Sequence, residues 1–187
     1  FKLPYSSEIT LKVIRLKLSN GLFKAGDKIN FNQIDTKLLK DHADWKDNPQ
    51  LTPLKNILFI LIHQEEEHTS ISNCQILHAF HFKIKEEIWN ICSERIKSDY
   101  KFYQTKNDDE TERKWSEADT KFLSTRKTRP GKESPLARRT FFLKENAIDE
   151  LIAVSLNISL TESAKRKGRR TKGIAPEYLL SQGSESS

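Results

Sequence analysis

The sequence predicts an α+β fold: a small N-terminal antiparallel β unit packed with a helical part, followed by a basic C-terminal arm. Three observations carry that prediction. Residues Ile9 to Leu18 alternate apolar and polar and run into Asn20-Gly21, a strong hairpin signal. Apolar residues recur at helical spacing in Leu54–Leu61, in Ile84–Ile96 and in Ile148–Ile152. Lys and Arg crowd into two segments that lack helical periodicity and are broken by Gly or Pro.

The elements follow in order. Ile9, Leu11 and Val13 hold one phase of a strand, and Ile14, Leu16 and Leu18 hold the other, so a bulge or phase change is expected near Val13. Leu22-Phe23 begins the return strand, and Ile29 and Phe31 alternate again. Asp35 to Trp45 suits a short helix with Leu38, Leu39 and Ala43 on one side. Thr52-Pro53 offers an N-cap followed by Pro, and Leu54, Ile57, Leu58 and Leu61 predict a helix reaching about Glu67. Ser72 or Asn73 can cap a short helix through Ala79 or Phe80. His81-Phe82-Lys83 then makes a tight connection to a second helix, with Ile84, Ile88, Trp89, Ile91, Cys92 and Ile96 on a broad apolar face. Asn107 to Glu117 is a polar loop. Thr140 to Leu143 reads as a strand and Asn146 to Leu156 as a helix. Everything after Ser159 reads as arm or tail, and Ser181 to Ser187 as disordered. The expected organisation is a β-rich unit at 1–48, a helical domain at 49–160 with a polar and basic insertion near 104–139, and a basic arm and tail at 161–187.

Charge is distributed unevenly. The 187 residues carry 32 Lys and Arg against 26 Asp and Glu, a net +6. Between Lys121 and Lys172 there are 14 basic and 5 acidic residues, or +9, which leaves −3 for the remainder. One cluster holds Arg126, Lys127, Arg129, Lys132, Arg138 and Arg139, interrupted by Pro130, Gly131 and Pro135. The other holds Lys165, Arg166, Lys167, Arg169, Arg170 and Lys172 around Gly168. Flexible Lys/Arg segments neutralise phosphates and release counterions, so nucleic acid is the expected partner. Lys165 to Lys172 also has the composition of a nuclear-localisation stretch.

Other counts exclude classes. No apolar run reaches the roughly 18 residues that cross a bilayer, so no membrane is expected. No basic-then-apolar leader is visible. Two cysteines do not staple a chain of this size, which points to a reducing compartment. The chain opens on Phe1 and contains no Met, which reads as part of a longer protein.

The stretch Gln75 to Cys92 resembles a helix-turn-helix. Ala79 supplies the small residue where the helices would cross, and Phe82, Ile84, Trp89 and Cys92 fall at the locking positions. The resemblance departs from the pattern at Lys83, where Gly is usual, and at His78, where an apolar residue is usual. It covers about 20 residues of the chain. With helix Leu54–Glu67 before the pair, and Thr140–Leu143 leading into Asn146–Leu156 after it, the middle of the chain is similar to a winged-helix domain. On that resemblance Lys83, Lys85, Glu86, Glu87 and Asn90 would lie near bases, with Arg95 and Lys97 nearer the backbone. Duplex DNA is then preferred over RNA, because a helix pair suits the major groove.

Chemistry-bearing constellations are sparse. Cys74 and His78 stand four apart, which on a helix can grip one metal ion, with His63 and His68 to complete the set. No Cys-x-x-Cys pair accompanies them, and the bland reading is ordinary imidazoles. Asp108, Asp109 and Glu110 cluster, as do Asp149 and Glu150, and Glu162 stands near Lys165; such acids serve a Mg²⁺ nuclease when they converge. Trp45, Trp89, Trp115, Tyr100, Phe102 and Tyr103 lie in or beside charged stretches and would either stack bases or anchor a core.

The expected function is double-stranded DNA binding without catalysis or cofactor, in transcription control or in replication or transposition. The alternatives are a Mg²⁺-dependent DNA nuclease and a protein-interaction or effector domain meeting an acidic partner. A homodimer partner, or the rest of a longer polypeptide, fits the same reading. The expected location is the cytoplasm or nucleoid, or the nucleus of a eukaryote.

Overall fold

The computed structural model describes residues 9–63, 74–107, 115, 120–127, 139–162 and 172–180. The fold is α+β. The chain forms two compact units that interleave along the sequence, where the sequence suggests consecutive segments. One unit takes Phe1–Thr10, Ile29–Ile57 and Phe82–Lys144, and the other Leu11–Lys28, Leu58–His81 and Glu145–Ser187.

The second of these units is built on a four-stranded sheet of order β2-β1-β4-β5. β1 (Thr10–Ser19) and β2 (Leu22–Ala25) are antiparallel, with Ser19 opposite Leu22. The two residues between them, Asn20 at φ 54 and Gly21 at φ 76, both adopt the left-handed region. That is the backbone an Asn-Gly hairpin turn demands. Only the second phase of β1 reaches the core: Ile14 and Leu16 are buried, while Leu11, Val13 and Leu18 are more than half exposed.

β4 (Asn56–His63) and β5 (Gln75–Lys83) correct two expected helices. Leu54–Glu67 does not form a helix. A 3-10 turn at Pro49–Lys55 is capped by the Asn48 side chain, which accepts the Gln50 N–H at 2.8 Å, and the chain then extends as β4. The run from Ile57 to Ile62 is apolar at every position, so its periodicity suits a helix or a buried strand. The β-branched and aromatic Ile57, Phe59, Ile60 and Ile62 favour the strand. Gln75–Phe80 is likewise β5, where Phe80 stacks on Phe59 of β4 at 4.8 Å. Ala79, the expected helix-crossing residue, is exposed. The helix-turn-helix pair therefore does not form here, and neither of the first two helices of the winged-helix-like part is present.

The expected helix at Asn146–Leu156 does form, as Glu145–Ser155. It buries Ala147, Ile148, Leu151 and Ile152. The segment beyond Ser159 is not all tail. β8 (Thr161–Glu162) and β9 (Lys172–Gly173) pair antiparallel, and Ile174 exchanges backbone hydrogen bonds with Phe23 at 2.8 and 2.9 Å. A Cβ on Gly173 would stand 2.8 Å from the Phe23 carbonyl oxygen, so this close approach requires glycine. Leu179 is buried in a final turn of helix at Glu177–Leu180.

The other unit carries a three-stranded sheet of order β3-β7-β6, antiparallel in both pairings. These are β3 (Ile29–Gln33), β6 (Leu123–Lys127) and β7 (Arg139–Leu143). α1 (Thr36–Asp41) begins at Asp35, whose carboxylate accepts the N–H groups of Lys37 and Leu38. α2 (Asn90–Gln104) is longer than expected and starts later, after a 3-10 turn at Glu87–Trp89. Phe82, Ile84, Trp89 and Cys92 are buried as the sequence suggests, but Ile88 and Ile91 are exposed. Tyr100 ties α2 to α1: its hydroxyl accepts the Asn48 side-chain N–H at 3.0 Å and donates toward the Leu39 and His42 carbonyls. No helix among the described residues is long and apolar enough to cross a membrane.

Candidate nucleic-acid interface

The described cations of both basic clusters, Arg126, Lys127, Arg139 and Lys172, lie in antiparallel strand pairs. β6 and β7 end on the Lys127–Arg139 pair, so residues 128–138 are the connection of a hairpin. β8 and β9 meet at Glu162–Lys172, so residues 163–171 are the connection of a second one. The first connection contains Arg129, Lys132 and Arg138 with one acid, Glu133. The second contains Lys165, Arg166, Lys167, Arg169 and Arg170 with none. These eight cations lie outside the described residues. The strands below them show what each connection is rooted in.

On the first hairpin the inward face is packed. Leu123 and Thr125 of β6 pair with Leu143 and Phe141 of β7, and all four are buried. Arg139 shares the β7 phase of Phe141 and Leu143. It is 8% exposed, with its guanidinium 4.5 Å from the Trp115 ring centroid. Arg139 therefore serves the core through a cation–π contact, which corrects its expected place on the phosphate-facing surface. Trp115 is fixed in turn: its Nε1–H donates to the Asn107 carbonyl at 2.9 Å, and its own carbonyl accepts from Thr125 Oγ1 at 3.1 Å. Arg126, one position out of phase, is exposed opposite Thr140. The backbone of Lys127 closes the hairpin.

The second hairpin is shallow. Lys172 is exposed and its ammonium lies 3.8 Å from the Glu162 carboxylate across the strand pair. That pairing draws Lys172 into a cross-strand contact, where the sequence places it in a free arm.

The groove-reading set falls along the β5–α2 corner. Lys83 and Lys85 are exposed, and Lys83 pairs with Glu86 at 3.3 Å. Lys97 pairs with Glu94 at 3.6 Å. Asn90 is exposed at the first position of α2, and Arg95 lies half-buried with its guanidinium 5.6 Å from the Phe122 ring. A strand precedes this helix where a recognition helix would have a partner helix, so the groove geometry expected of these residues has lost its scaffold.

A cleft of about 480 Å³ opens beside α2 instead, walled by Asn90, Glu94, Arg95, Ser98, Asp99 and Lys121. Asp99 organises it. Its carboxylate accepts the backbone N–H groups of Lys121, Phe122 and Leu123 at 3.0, 2.6 and 2.8 Å. Lys121 was not among the sequence candidates, because nothing local marks it; its place follows from a carboxylate 22 residues earlier.

Trp45, Trp89, Trp115, Tyr100 and Tyr103 are buried, which gives the core reading for the aromatics. Phe102 is half-buried beneath the Lys106 ammonium at 4.2 Å. His63 Nδ1 lies 3.2 Å from the Leu16 carbonyl, and His78 Nε2 lies 3.4 Å from Ser155 Oγ. Burial lowers the His78 pKa below its usual value. Among the described residues no group of three His, Cys, Asp or Glu side chains could hold a metal ion. His68 and the acids at 108–110 lie outside them. Asp149 accepts the Ala25 N–H at 2.7 Å in a buried setting, and Glu162 is engaged by Lys172. Burial raises the Cys92 thiol to about 11, so it packs as a protonated side chain. No protein-family model matches the chain, and no curated protein matches its sequence.

Proposed function

We propose that this protein binds nucleic acid, duplexes foremost, by capturing phosphates with two basic hairpin connections. The observation that carries this reading is that both cation-rich segments, 128–138 and 163–171, close antiparallel strand pairs. A connection held at both ends by a ladder presents its cations at lower entropic cost than a free tail. Five cations with no acid in nine residues have the charge density that counterion release exploits. Base readout by a helix pair is not part of the proposal, since the first helix is a strand. What remains is phosphate recognition, with sequence preference low.

The test is fluorescence anisotropy on duplex DNA, single-stranded DNA and duplex RNA across a salt series, with and without Mg²⁺. The expected result is tighter binding to the two duplexes than to the single strand, falling steeply with salt, with the strands intact on a denaturing gel. The tighter of the two duplexes identifies the polymer. Strand cutting with Mg²⁺ replaces a binding role with a nuclease. No binding to any of the three at low salt overturns the proposal.

A further inference from the structure

The cleft beside α2 gathers side chains from two elements whose meeting is fixed by one carboxylate. Asn90, Glu94 and Ser98 repeat every four residues along one stripe of the helix, and Arg95 and Asp99 form the neighbouring stripe. The three amides bound by Asp99 hold the backbone of Lys121, Phe122 and Leu123 against that helix. Lys121 is thereby delivered to the cleft containing Arg95. Arg95 is positioned as well, since its guanidinium lies over the Phe122 ring. Asp99 accepts the three amides, and Glu94 lies 3.6 Å from Lys97. Asn90 and Ser98 contribute neutral hydrogen-bonding groups, and exposed Ile91 forms the rim. The cleft is open, and its lining side chains other than Ile91 carry polar or charged ends on apolar stems. It suits one charged group of a large ligand better than an engulfed apolar molecule.

We infer that this cleft is a further phosphate-holding station of the nucleic-acid site, with Arg95 and Lys121 as its cations and Asn90 and Ser98 as neutral hydrogen-bonding partners. The inference rests on the nucleic-acid reading above and adds to it a place away from the basic connections. Strand β6 joins the two. From Lys121 to Lys127 is six residues, a reach of at most ~20 Å at ~3.3 Å per residue. The station gives Arg95 and Asn90 a role that does not require a helix-turn-helix.

The experiment compares the full-length chain with Arg95→Ala/Lys121→Ala and with Lys121→Gln in the anisotropy salt series on duplex DNA. Lys101→Ala is the charge-matched control on the same helix, outside the cleft. The double variant is expected to lower the slope of log K against log salt by about 2, and Lys121→Gln by about 1. The Lys101→Ala slope is expected to match the parent's. Lys121 is exposed, so the single variant keeps the test valid even if the double variant folds poorly. A parent that binds DNA, with unchanged slopes in both variants, overturns the station and leaves the function standing. An equal loss in Lys101→Ala also overturns it, because the effect is then general charge. A parent that binds no nucleic acid overturns both. In that case, amide shifts at Ser98 and Lys121 on titration with inorganic phosphate would assign the cleft to a free phosphate ligand.

Discussion

Among the described residues each unit has one buried aspartate, and the two brace it differently. Asp99 (4% exposed) accepts three consecutive backbone N–H groups at the entry to β6. Asp149 (6% exposed) accepts one, from Ala25 at the end of β2. Three donors replace much of the water a buried carboxylate gives up, and one does not. Burial accordingly pushes the Asp149 carboxyl up to about 6, against the opposing pull of the Ala25 N–H and the Lys24 charge. The hairpins follow the same division. β6–β7 is rooted through Leu123, Thr125, Phe141 and Leu143, whereas β8–β9 is a two-residue ladder with exposed strands except at Gly173. The strand pair that flanks the first basic connection is rooted in the core. The strand pair that flanks the second is tied to β2 by the Phe23–Ile174 backbone bonds, with an exposed cross-strand ion pair beside them.

Removing Asp99 tests the difference between the two carboxylates most directly. Asp99→Ala leaves three amides without their acceptor and should lower unfolding stability by ~2–4 kcal/mol, read by urea denaturation. A loss below ~1 kcal/mol would show that the β6 entry is held by packing alone.

The Asp149 contrast predicts a pH dependence with a definite sign. A carboxyl whose folded pKa is raised from 3.8 to about 6 makes the folded state the better proton binder between those values. Its contribution therefore favours folding increasingly as pH falls from above 6 towards 4, and is lost as pH rises through 6. Asp149→Asn should flatten that part of the stability profile and gain ~1–3 kcal/mol at pH 7, provided the amide oxygen still accepts the Ala25 N–H. A variant profile parallel to the parent's between pH 4 and 7 would remove the titration from Asp149.

Gly173→Ala forces a Cβ against the Phe23 carbonyl and should cost ~1–2 kcal/mol while loosening the root of segment 163–171. The measurable sign is faster hydrogen exchange at the Phe23 and Ile174 amides, with the Phe122 and Leu123 amides unchanged. Exchange that rises equally at all four would mean the two hairpins do not differ in rooting.

Arg126 and Arg139 separate binding from stability on one hairpin. Arg139→Ala should cost ~1 kcal/mol of stability through the lost Trp115 contact and leave the DNA salt slope alone. Arg126→Ala should leave stability within ~0.5 kcal/mol and lower the slope by about 1. The reverse pattern would turn the β7 strand over. The smallest effect belongs to Lys172→Ala: its exposed pair with Glu162 should be worth only a few tenths of a kcal/mol by thermal melting, about the measure of an exposed ion pair.

The candidate interface was legible as charge and illegible as placement. The two Lys/Arg clusters stand out in the sequence because charge density is a local property. That Arg139 turns inward while Arg126 is exposed follows from the β6–β7 register and from Trp115, 24 residues before Arg139, whose ring receives the guanidinium. Lys121 and the cleft depend on Asp99 reaching another element, and an aspartate on a helix gives no local sign of where its partners lie.

By itself the sequence determined what local backbone chemistry dictates. Asn20-Gly21 turns because both residues tolerate positive φ, and Asp35 starts α1 because its carboxylate reaches two amides within three residues. Glu145–Ser155 is helical, with its buried side chains at helical spacing. Tertiary structure alone decided Asn56–His63 and Gln75–Lys83. Their apolar runs suit either a buried helix or a buried strand, and the choice falls to whatever offers each backbone its hydrogen bonds. Here each finds them in a neighbouring strand of the four-stranded sheet, and Phe59 and Phe80 stack across the join.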